Sequence, residues 1–314
     1  MDDMVSARPT LAAWLEEYAA IEREFVAAMA AEGPVFAPRA AGRPRADELR
    51  EPLRERGARF MNGGASVSTG FLSSACAACV GGCGSRTFYI NLRCNRDCYF
   101  CFNPNQEDYA YFLEHDVDWR RAFDEFAASV DEVTHVGLTG GEPLLFPDFK
   151  TLYLELRSMG MILTINTNGT LIDETWADFF AQHPPRRINI TLYGTSKETY
   201  RDLCHYKDGF EKALRGIRLL RERNVDVKIN GSLVRSNSTD VDSLVALARS
   251  LDAPINIDTY MYPARRERSA AFCEQSRLLP EDAARGKVQF EKASLDSKTY
   301  LQMAQTIITR VSET

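Results

Sequence analysis

Six short apolar segments alternate with segments of helical periodicity between residues 87 and 261, and this alternation constrains the fold more than any other feature. Strands that alternate with helices at this spacing form parallel sheets with right-handed helical crossovers. The sequence therefore predicts an α/β fold. The predicted strands cover residues 87–92, 133–138, 161–166, 188–193, 225–234 and 255–261, and the predicted helices cover residues 118–129, 147–159, 173–182, 209–223 and 239–251.

Composition and charge narrow the class of protein. The 314 residues are 45% hydrophobic and 26% charged, which is typical of a globular chain. The formal net charge of −6 and the lack of a basic patch argue against a nucleic-acid partner. No apolar run approaches the roughly 20 residues of a membrane span, and the acidic N-terminus lacks the apolar core of a signal peptide. We therefore expect a cytoplasmic protein without a membrane span.

The cysteines indicate metal binding. Six of the eight lie within residues 76–101, and such a cluster in a reducing compartment favours metal ligands over disulfides. In the run CNRDCYFC, Cys94, Cys98 and Cys101 have the spacing C-x3-C-x2-C. Three thiolates can bind three irons of a [4Fe–4S] cluster and leave the fourth iron open, whereas an electron carrier normally has four cysteine ligands. A zinc site is the alternative for this spacing alone.

A second motif, Thr139-Gly140-Gly141-Glu142-Pro143, follows the second predicted strand. Together the two motifs resemble the signature of the radical S-adenosylmethionine (SAM) superfamily. The resemblance implies a partial (β/α)6 TIM-like barrel with its site at the carboxyl ends of the strands. It also implies that Gly140 and Gly141 let the backbone approach the methionine part of SAM, and that Glu142 accepts a hydrogen bond from the ammonium group of SAM.

The resemblance implies a defined chemistry. The amino and carboxylate groups of SAM chelate the open iron, and one electron from the reduced cluster cleaves SAM to methionine and a 5′-deoxyadenosyl radical, which abstracts hydrogen from the substrate. A flavodoxin or ferredoxin is the implied electron donor, and oxygen is expected to destroy activity. The same resemblance places Phe100 near the adenine of SAM and makes Thr191 and Asn230 candidate SAM contacts.

The later predicted strands are more polar than fully buried parallel strands. Strand five carries Lys228, Asn230 and Ser232 on one face. Polarity of period two inside a barrel indicates a lumen that binds a polar ligand. The alternative is that these side chains hydrogen-bond one another near the mouth of the barrel.

A further cysteine group, Cys76-x2-Cys79-x3-Cys83, lies upstream of the strands among small residues. We expect it to bind a second Fe–S cluster, because glycines let the backbone turn tightly around a metal. A zinc site and reduced free thiols are the alternatives. The fourth ligand is open: Cys204, Cys273, a histidine or the substrate are candidates.

Cys204 follows the fourth predicted strand. It is a candidate catalytic residue, as a hydrogen-atom donor, because the resemblance places this segment near SAM. It is also a candidate auxiliary ligand. The simplest alternative is a buried structural thiol, as free cysteines usually are.

The stretch 188–237 resembles the peptide-modifying branch of the superfamily, whose members carry a C-terminal cysteine-rich SPASM or twitch domain. Residues 274–314 contain no cysteine, so either the auxiliary cluster has moved to Cys76, Cys79 and Cys83, or the chain is a shortened form. The predicted function is hydrogen abstraction from a peptide or peptide-like substrate, giving a crosslink, an epimer or an oxidised residue. The alternatives are a radical SAM enzyme that acts on a small metabolite or lipid, including methyl transfer, and a non-catalytic Fe–S or zinc sensor or scaffold.

Four segments follow from these motifs. Residues 1–75 are predicted to form a helical N-terminal extension and linker, with a helix over residues 5–31, and residues 76–86 the auxiliary metal segment. Residues 87–265 are predicted to form the partial barrel and residues 266–314 a helical tail.

Overall fold

The computed structural model describes residues 11–32, 39–61, 66–68, 85–98, 100–101, 115, 118–128, 135–260 and 278–294. The chain divides into two compact units. The first contains Met1–Gly42, Ser232–Asp242 and Ile257–Thr314, and the second contains Arg43–Gly231 and Ser243–Asn256. Within the described ranges, no helix is long and apolar enough to cross a membrane.

A six-stranded sheet is the centre of the fold, and its strands follow one another in chain order from β3 to β8. All four pairings from β3 to β7 are parallel. Successive parallel neighbours with intervening helices are the arrangement of a partial TIM-like barrel, so the predicted fold class is confirmed. The strands are β3 (Ser85–Tyr89), β4 (His135–Thr139), β5 (Ile162–Thr167), β6 (Arg187–Thr191), β7 (Val227–Ser232) and β8 (Ile255–Asp258).

Helices follow the strands, and several begin at a side chain that caps them. Asp118, Asp173 and Ser196 each accept a hydrogen bond from the main-chain N–H three residues later, which satisfies a donor that the first helical turn leaves unpaired. The helices after β3 are α3 (Trp119–Ala127), α4 (Phe149–Ser158), α5 (Glu174–Gln182), α6 (Lys197–Cys204), α7 (Gly209–Glu222) and α8 (Val241–Ser250). Helix α6 was not predicted, because eight residues supply too few turns for a clear apolar period.

The strands have one apolar face and one polar face. In β5, β6 and β7 every second residue is buried, and most of these are apolar, as Ile188 and Ile190 are, while the residues between them are half-buried. Register aligns the polar residues: Asn166 pairs with Asn189, and Asn189 pairs with Lys228. The Asn189 Nδ2 donates to Asn166 Oδ1 at 2.7 Å. The period-two polarity of the sequence therefore forms one continuous polar face.

In the first unit, helices from the two ends of the chain pack together. Helix α1 (Leu11–Ala31) contributes Ala28 and Met29 to a buried apolar cluster with Ala284 and Val288 of helix α9 (Pro280–Ser294). The apolar period predicted a helix over residues 5–31, and α1 accounts for its described part.

Helix α2 (Arg39–Glu55), which contains two prolines, precedes a two-stranded antiparallel sheet. The sheet pairs β1 (Arg59–Met61) with β2 (Ser66–Ser68). The sequence predicted a helical extension and linker over residues 1–75, and most of the described residues in that range are helical. The two short strands were not predicted, because three residues are too few for a strand period.

Candidate active site

Two segments lie side by side at the carboxyl ends of β3 and β4. We call residues 90–101 the cysteine loop and residues 139–143 the GGE segment. The Gly141 N–H donates to the Asn91 carbonyl at 2.9 Å, and the Glu142 N–H donates to the Arg93 carbonyl at 2.7 Å. The Asn91 side chain returns a bond to the Glu142 carbonyl at 3.1 Å. Backbone pairing therefore fixes the two motifs against each other.

The glycines of the GGE segment are required by this close approach. A Cβ atom at Gly140 would lie 2.2 Å from the Asn91 carbonyl oxygen, and one at Gly141 would lie 2.3 Å from the Arg93 carbonyl oxygen. Both contacts are to backbone that is itself hydrogen-bonded, so neither atom can move aside freely. The sequence predicted that these glycines let the backbone approach SAM. In the structure they also let the backbone of the GGE segment approach the backbone of the cysteine loop.

Glu142 is fully buried, and its carboxylate is held by three donors. Oε1 accepts from Thr167 Oγ1 at 2.7 Å and from the Leu144 N–H at 3.1 Å, while Oε2 accepts from the Asn168 N–H at 2.8 Å. Burial raises the pKa of Glu142, and the three hydrogen bonds oppose that rise. Oε2 has one of these donors, and a carboxylate oxygen accepts about two, so it retains room for a ligand N–H.

The three cysteines of the cysteine loop are half-buried, and none of them forms a disulfide. Burial raises the pKa of Cys94 to about 11, and the negative charges of Glu142, Cys98 and Cys101 add to that rise, which places these groups near Cys94. Among the described residues, no three His, Cys, Asp or Glu side chains converge on a single metal ion. A cluster has a different requirement, since each thiolate binds its own iron. Three cysteines within eight residues, none of them in a disulfide, therefore fit an iron–sulfur cluster by their ligand chemistry.

Helix α6 contacts the cysteine loop from the β6 side. The Asp97 N–H donates to the Cys204 carbonyl at 3.2 Å, and the Cys204 side chain is fully buried. The buried Arg96 guanidinium lies over the Tyr200 ring, 5.0 Å from its centroid. The sequence predicted Cys204 near the site, but it did not predict Arg96 or Tyr200.

A polar network joins the loop after β5 to the cysteine loop. Asn168 Nδ2 donates to Asn95 Oδ1 at 2.8 Å and lies 3.9 Å from the Cys94 sulfur. Asn95 Nδ2 donates to Thr170 Oγ1 at 2.8 Å, and Arg96 donates to the Asn168 carbonyl at 2.9 Å. Thr167, Asn168 and Gly169 follow the third predicted strand directly, and Asn and Gly are typical of turns, but the sequence did not predict this network.

Three predicted SAM contacts lie at or near the same strand ends. Phe100 is buried and packs edge-on against Tyr193, with ring centroids 4.6 Å apart. Thr191 and Asn230 are register partners on β6 and β7, so their side chains share the polar face of the sheet. Their roles toward SAM stay predictions.

The upstream cysteines Cys76, Cys79 and Cys83 lie outside the described residues, as does Cys273. The second Fe–S cluster therefore stays a prediction, and so does the identity of its fourth ligand.

Comparison with known proteins identifies relatives of the barrel region. The family model described as the radical SAM superfamily matches residues 88–248. A probable GTP 3′,8-cyclase of Pyrobaculum aerophilum is 29% identical over 177 residues, which cover 54% of each chain. A PqqA peptide cyclase of Ruegeria pomeroyi is 27% identical over 198 residues, covering 62% of this chain and 52% of the relative. The chain thus spans about half the length of these curated relatives.

Among solved structures, Streptococcus suis SuiB bound to its precursor peptide SuiA is similar over 55% of this chain and 38% of the SuiB chain. The TM-score is 0.46 and the sequence identity is 19%.

Proposed function

Because this chain belongs to the radical SAM superfamily, we propose that it cleaves SAM reductively and abstracts a hydrogen atom from a peptide or peptide-like substrate. One observation carries the cleavage half of the proposal: the cysteine loop and the GGE segment are joined by backbone hydrogen bonds. That contact brings the loop with the three cysteines next to one buried carboxylate, as the family's cofactors require.

The family uses a [4Fe–4S] cluster and SAM, and the donor set of this chain suits both. Cys94, Cys98 and Cys101 would hold the cluster, and Gly141 and Glu142 would seat the methionine part of SAM. When bound, the cluster supplies an electron at low potential and SAM supplies the radical that removes hydrogen. The protein positions these groups, and the buried Glu142 carboxylate accepts an N–H at a defined place. A flavodoxin or ferredoxin would provide the electron.

The peptide half of the proposal is supported by the PqqA peptide cyclase of Ruegeria pomeroyi, which matches this chain over 198 residues. The polar face of β5, β6 and β7 adds a physical reason. Asn166 and Asn189 present amide donors and acceptors on this polar face. Amide side chains can pair with peptide groups through the same kinds of hydrogen bond.

A small anionic metabolite is the second candidate, and one residue favours it. Lys228 is half-buried on the polar face beside Asn189, so it offers a positive charge to a phosphate or carboxylate group. The relative named a probable GTP 3′,8-cyclase is consistent with such a substrate. Methyl transfer to a metabolite or lipid belongs to the same alternative.

The decisive experiment is anaerobic turnover with dithionite. Wild-type protein with a reconstituted cluster should form 5′-deoxyadenosine from SAM, and Cys98→Ala should not. A candidate precursor peptide should then change in mass or stereochemistry with wild type only. S-adenosylhomocysteine among the products would indicate methyl transfer instead. If neither protein forms 5′-deoxyadenosine although the wild type holds its iron and binds SAM, the catalytic proposal is wrong.

We also propose a second cluster at Cys76, Cys79 and Cys83, which iron counting can test. Wild type should bind about twice as much iron as the variant with all three cysteines changed to alanine. The cytoplasmic location and the four segments 1–75, 76–86, 87–265 and 266–314 stay predictions.

A further inference from the structure

Asn168, in the loop after β5, has no role in the proposed function, although it lies between the two motifs of the site. Its main chain is held on both sides: the N–H donates to Glu142 Oε2 at 2.8 Å, and the carbonyl accepts from Arg96 at 2.9 Å. Its side-chain Nδ2 lies 3.9 Å from the Cys94 sulfur, in the geometry of a hydrogen bond. Asn168 therefore contacts both the residue that would receive SAM and a cysteine that would bind iron.

The neighbours of the Asn168 side chain fix which end of its amide faces Cys94. The Thr170 main-chain N–H can only donate, and the atom 3.0 Å from it is therefore the amide oxygen Oδ1. The NH2 group consequently points the other way, toward Asn95 Oδ1 at 2.8 Å and toward the Cys94 sulfur. Since an NH2 group has two hydrogens, it can make both contacts at once.

Three hydrogen bonds form a closed ring that holds this amide in place. Asn168 Nδ2 donates to Asn95 Oδ1, and Asn95 Nδ2 donates to Thr170 Oγ1 at 2.8 Å. The Thr170 hydroxyl closes the ring by donating to Asn168 Oδ1 at 2.6 Å. A donor that is already held in place loses little further conformational freedom when its acceptor binds a ligand. The ring therefore presents one N–H of Asn168 to Cys94 at a fixed position.

The state of the acceptor follows from the proposed function, on which this inference rests. A cysteine that binds iron is a deprotonated thiolate, and a thiolate only accepts hydrogen bonds. Because charge-assisted hydrogen bonds are shorter and stronger than neutral ones, the Cys94 thiolate should attract this N–H more strongly than a thiol does. Hydrogen bonds to the sulfurs of an iron–sulfur cluster are among the factors that set its reduction potential. They raise that potential because they stabilise the additional negative charge of the reduced state.

We propose that Asn168 is a positioning residue whose side-chain N–H donates to the ligand sulfur of Cys94 and raises the reduction potential of the catalytic cluster. Its main-chain N–H meanwhile holds the Glu142 carboxylate. The same residue thus orients the seat of SAM through its backbone and tunes the cluster through its side chain.

The test is a redox titration of the full-length protein with a reconstituted cluster and without SAM, followed by electron paramagnetic resonance. Asn168→Leu keeps the branched shape of the side chain and removes its donor. At a fixed potential we expect the ratio of reduced to oxidised cluster to be three- to tenfold lower in Asn168→Leu than in wild type, a shift of about 30 to 60 mV for one electron. Equal potentials for the two proteins would overturn the proposal.

Thr170→Val is the matched control for damage to the ring. It removes the hydroxyl that takes part in two of the three ring bonds, whereas the main-chain N–H of residue 170 still orients the Asn168 amide. Thr170→Val should therefore titrate like wild type. A shift as large as that of Asn168→Leu would mean that the ring, rather than the N–H toward Cys94, affects the potential, and it would count against the proposal.

A second measurement decides the case in which Asn168→Leu assembles no cluster. Wild-type protein is labelled with ¹⁵N only in the side-chain amides of asparagine, and the reduced cluster is studied by pulsed electron paramagnetic resonance. A ¹⁵N hyperfine coupling is expected, and Asn95→Asp should keep it, since that variant removes the Asn95 amide and retains an acceptor for Asn168. Loss of the coupling in Asn95→Asp, or its absence in wild type, contradicts the proposal. Failure of wild type itself to assemble a cluster contradicts the proposed function instead.

Discussion

The main-chain N–H of Glu142 lies 2.7 Å from the carbonyl oxygen of Arg93, which immediately precedes the first cysteine of the motif. This bond ties the residue that would receive the ammonium group of SAM to the loop that would hold the iron. The relative position of carboxylate and thiols is therefore set by backbone, which varies less than side-chain rotamers. Changes at this contact should affect cluster and SAM together.

Gly141→Ala should disrupt this contact. Its Cβ would lie 2.3 Å from the Arg93 carbonyl oxygen and 2.5 Å from that of Leu92, so the cysteine loop must move. We expect a loss of about 1–3 kcal/mol in the free energy of unfolding and a clear loss of bound iron, measured by urea titration and iron assay. Gly57→Ala is the control, because no atom lies within 4 Å of its Cβ and only its positive φ adds strain. Full iron content in Gly141→Ala would contradict the prediction.

Glu142→Gln should weaken SAM binding while the cluster remains. The substitution keeps the shape but removes the negative charge, and a hydrogen bond to a charged group contributes roughly 1.5–3 kcal/mol. We expect affinity for SAM, measured by anaerobic equilibrium dialysis, to fall about tenfold or more. The exposed Glu198→Gln should bind as wild type does. Unchanged affinity in Glu142→Gln would show that this carboxylate does not contact SAM.

Lys228→Met should separate substrate binding from SAM cleavage. The long apolar side chain preserves packing on the polar face and removes the charge beside Asn189. If the substrate carries an anionic group there, kcat/KM for substrate should fall about tenfold or more, while 5′-deoxyadenosine formation without substrate stays unchanged. Lys197→Met is the control, since its charge lies in an exposed pair with Glu211. An unchanged kcat/KM would show that the charge of Lys228 does not contribute to substrate binding.

Acid should destabilise the fold through His135. This residue is buried at the start of β4, and burial, together with the charge of Arg186, lowers its pKa from 6.5. Below pH 6.5 the unfolded chain binds a proton that the folded chain does not, so stability falls as pH falls. The urea midpoint of wild type should drop from pH 7 to pH 5, and that of His135→Gln should drop less. Parallel slopes for the two proteins would exclude this residue as the cause.

The local sequence was sufficient to predict most strands and helices of the fold. The strands β4 to β8 lie within three residues of the predicted bounds. Burial alternates with period two in β5, β6 and β7, whereas β4 is a continuous buried run. The first strand was predicted too late by two residues, since Ser85 and Arg86 are polar and exposed on an edge strand. Helix α6 and the sheet of β1 and β2 escaped prediction because each is too short to show a period.

The cysteine spacing and the glycine pair were enough to predict the family, because each motif is a contiguous stretch of sequence. Only the tertiary structure decided which side chains surround them. Cys204 and Asp97 are distant in sequence, and the hydrogen bond between their main chains depends on how α6 returns to the carboxyl ends of the strands. The clash that excludes a side chain at Gly141 likewise depends on a second backbone segment. Contacts between separate segments follow from how the chain packs, and no local pattern encodes them.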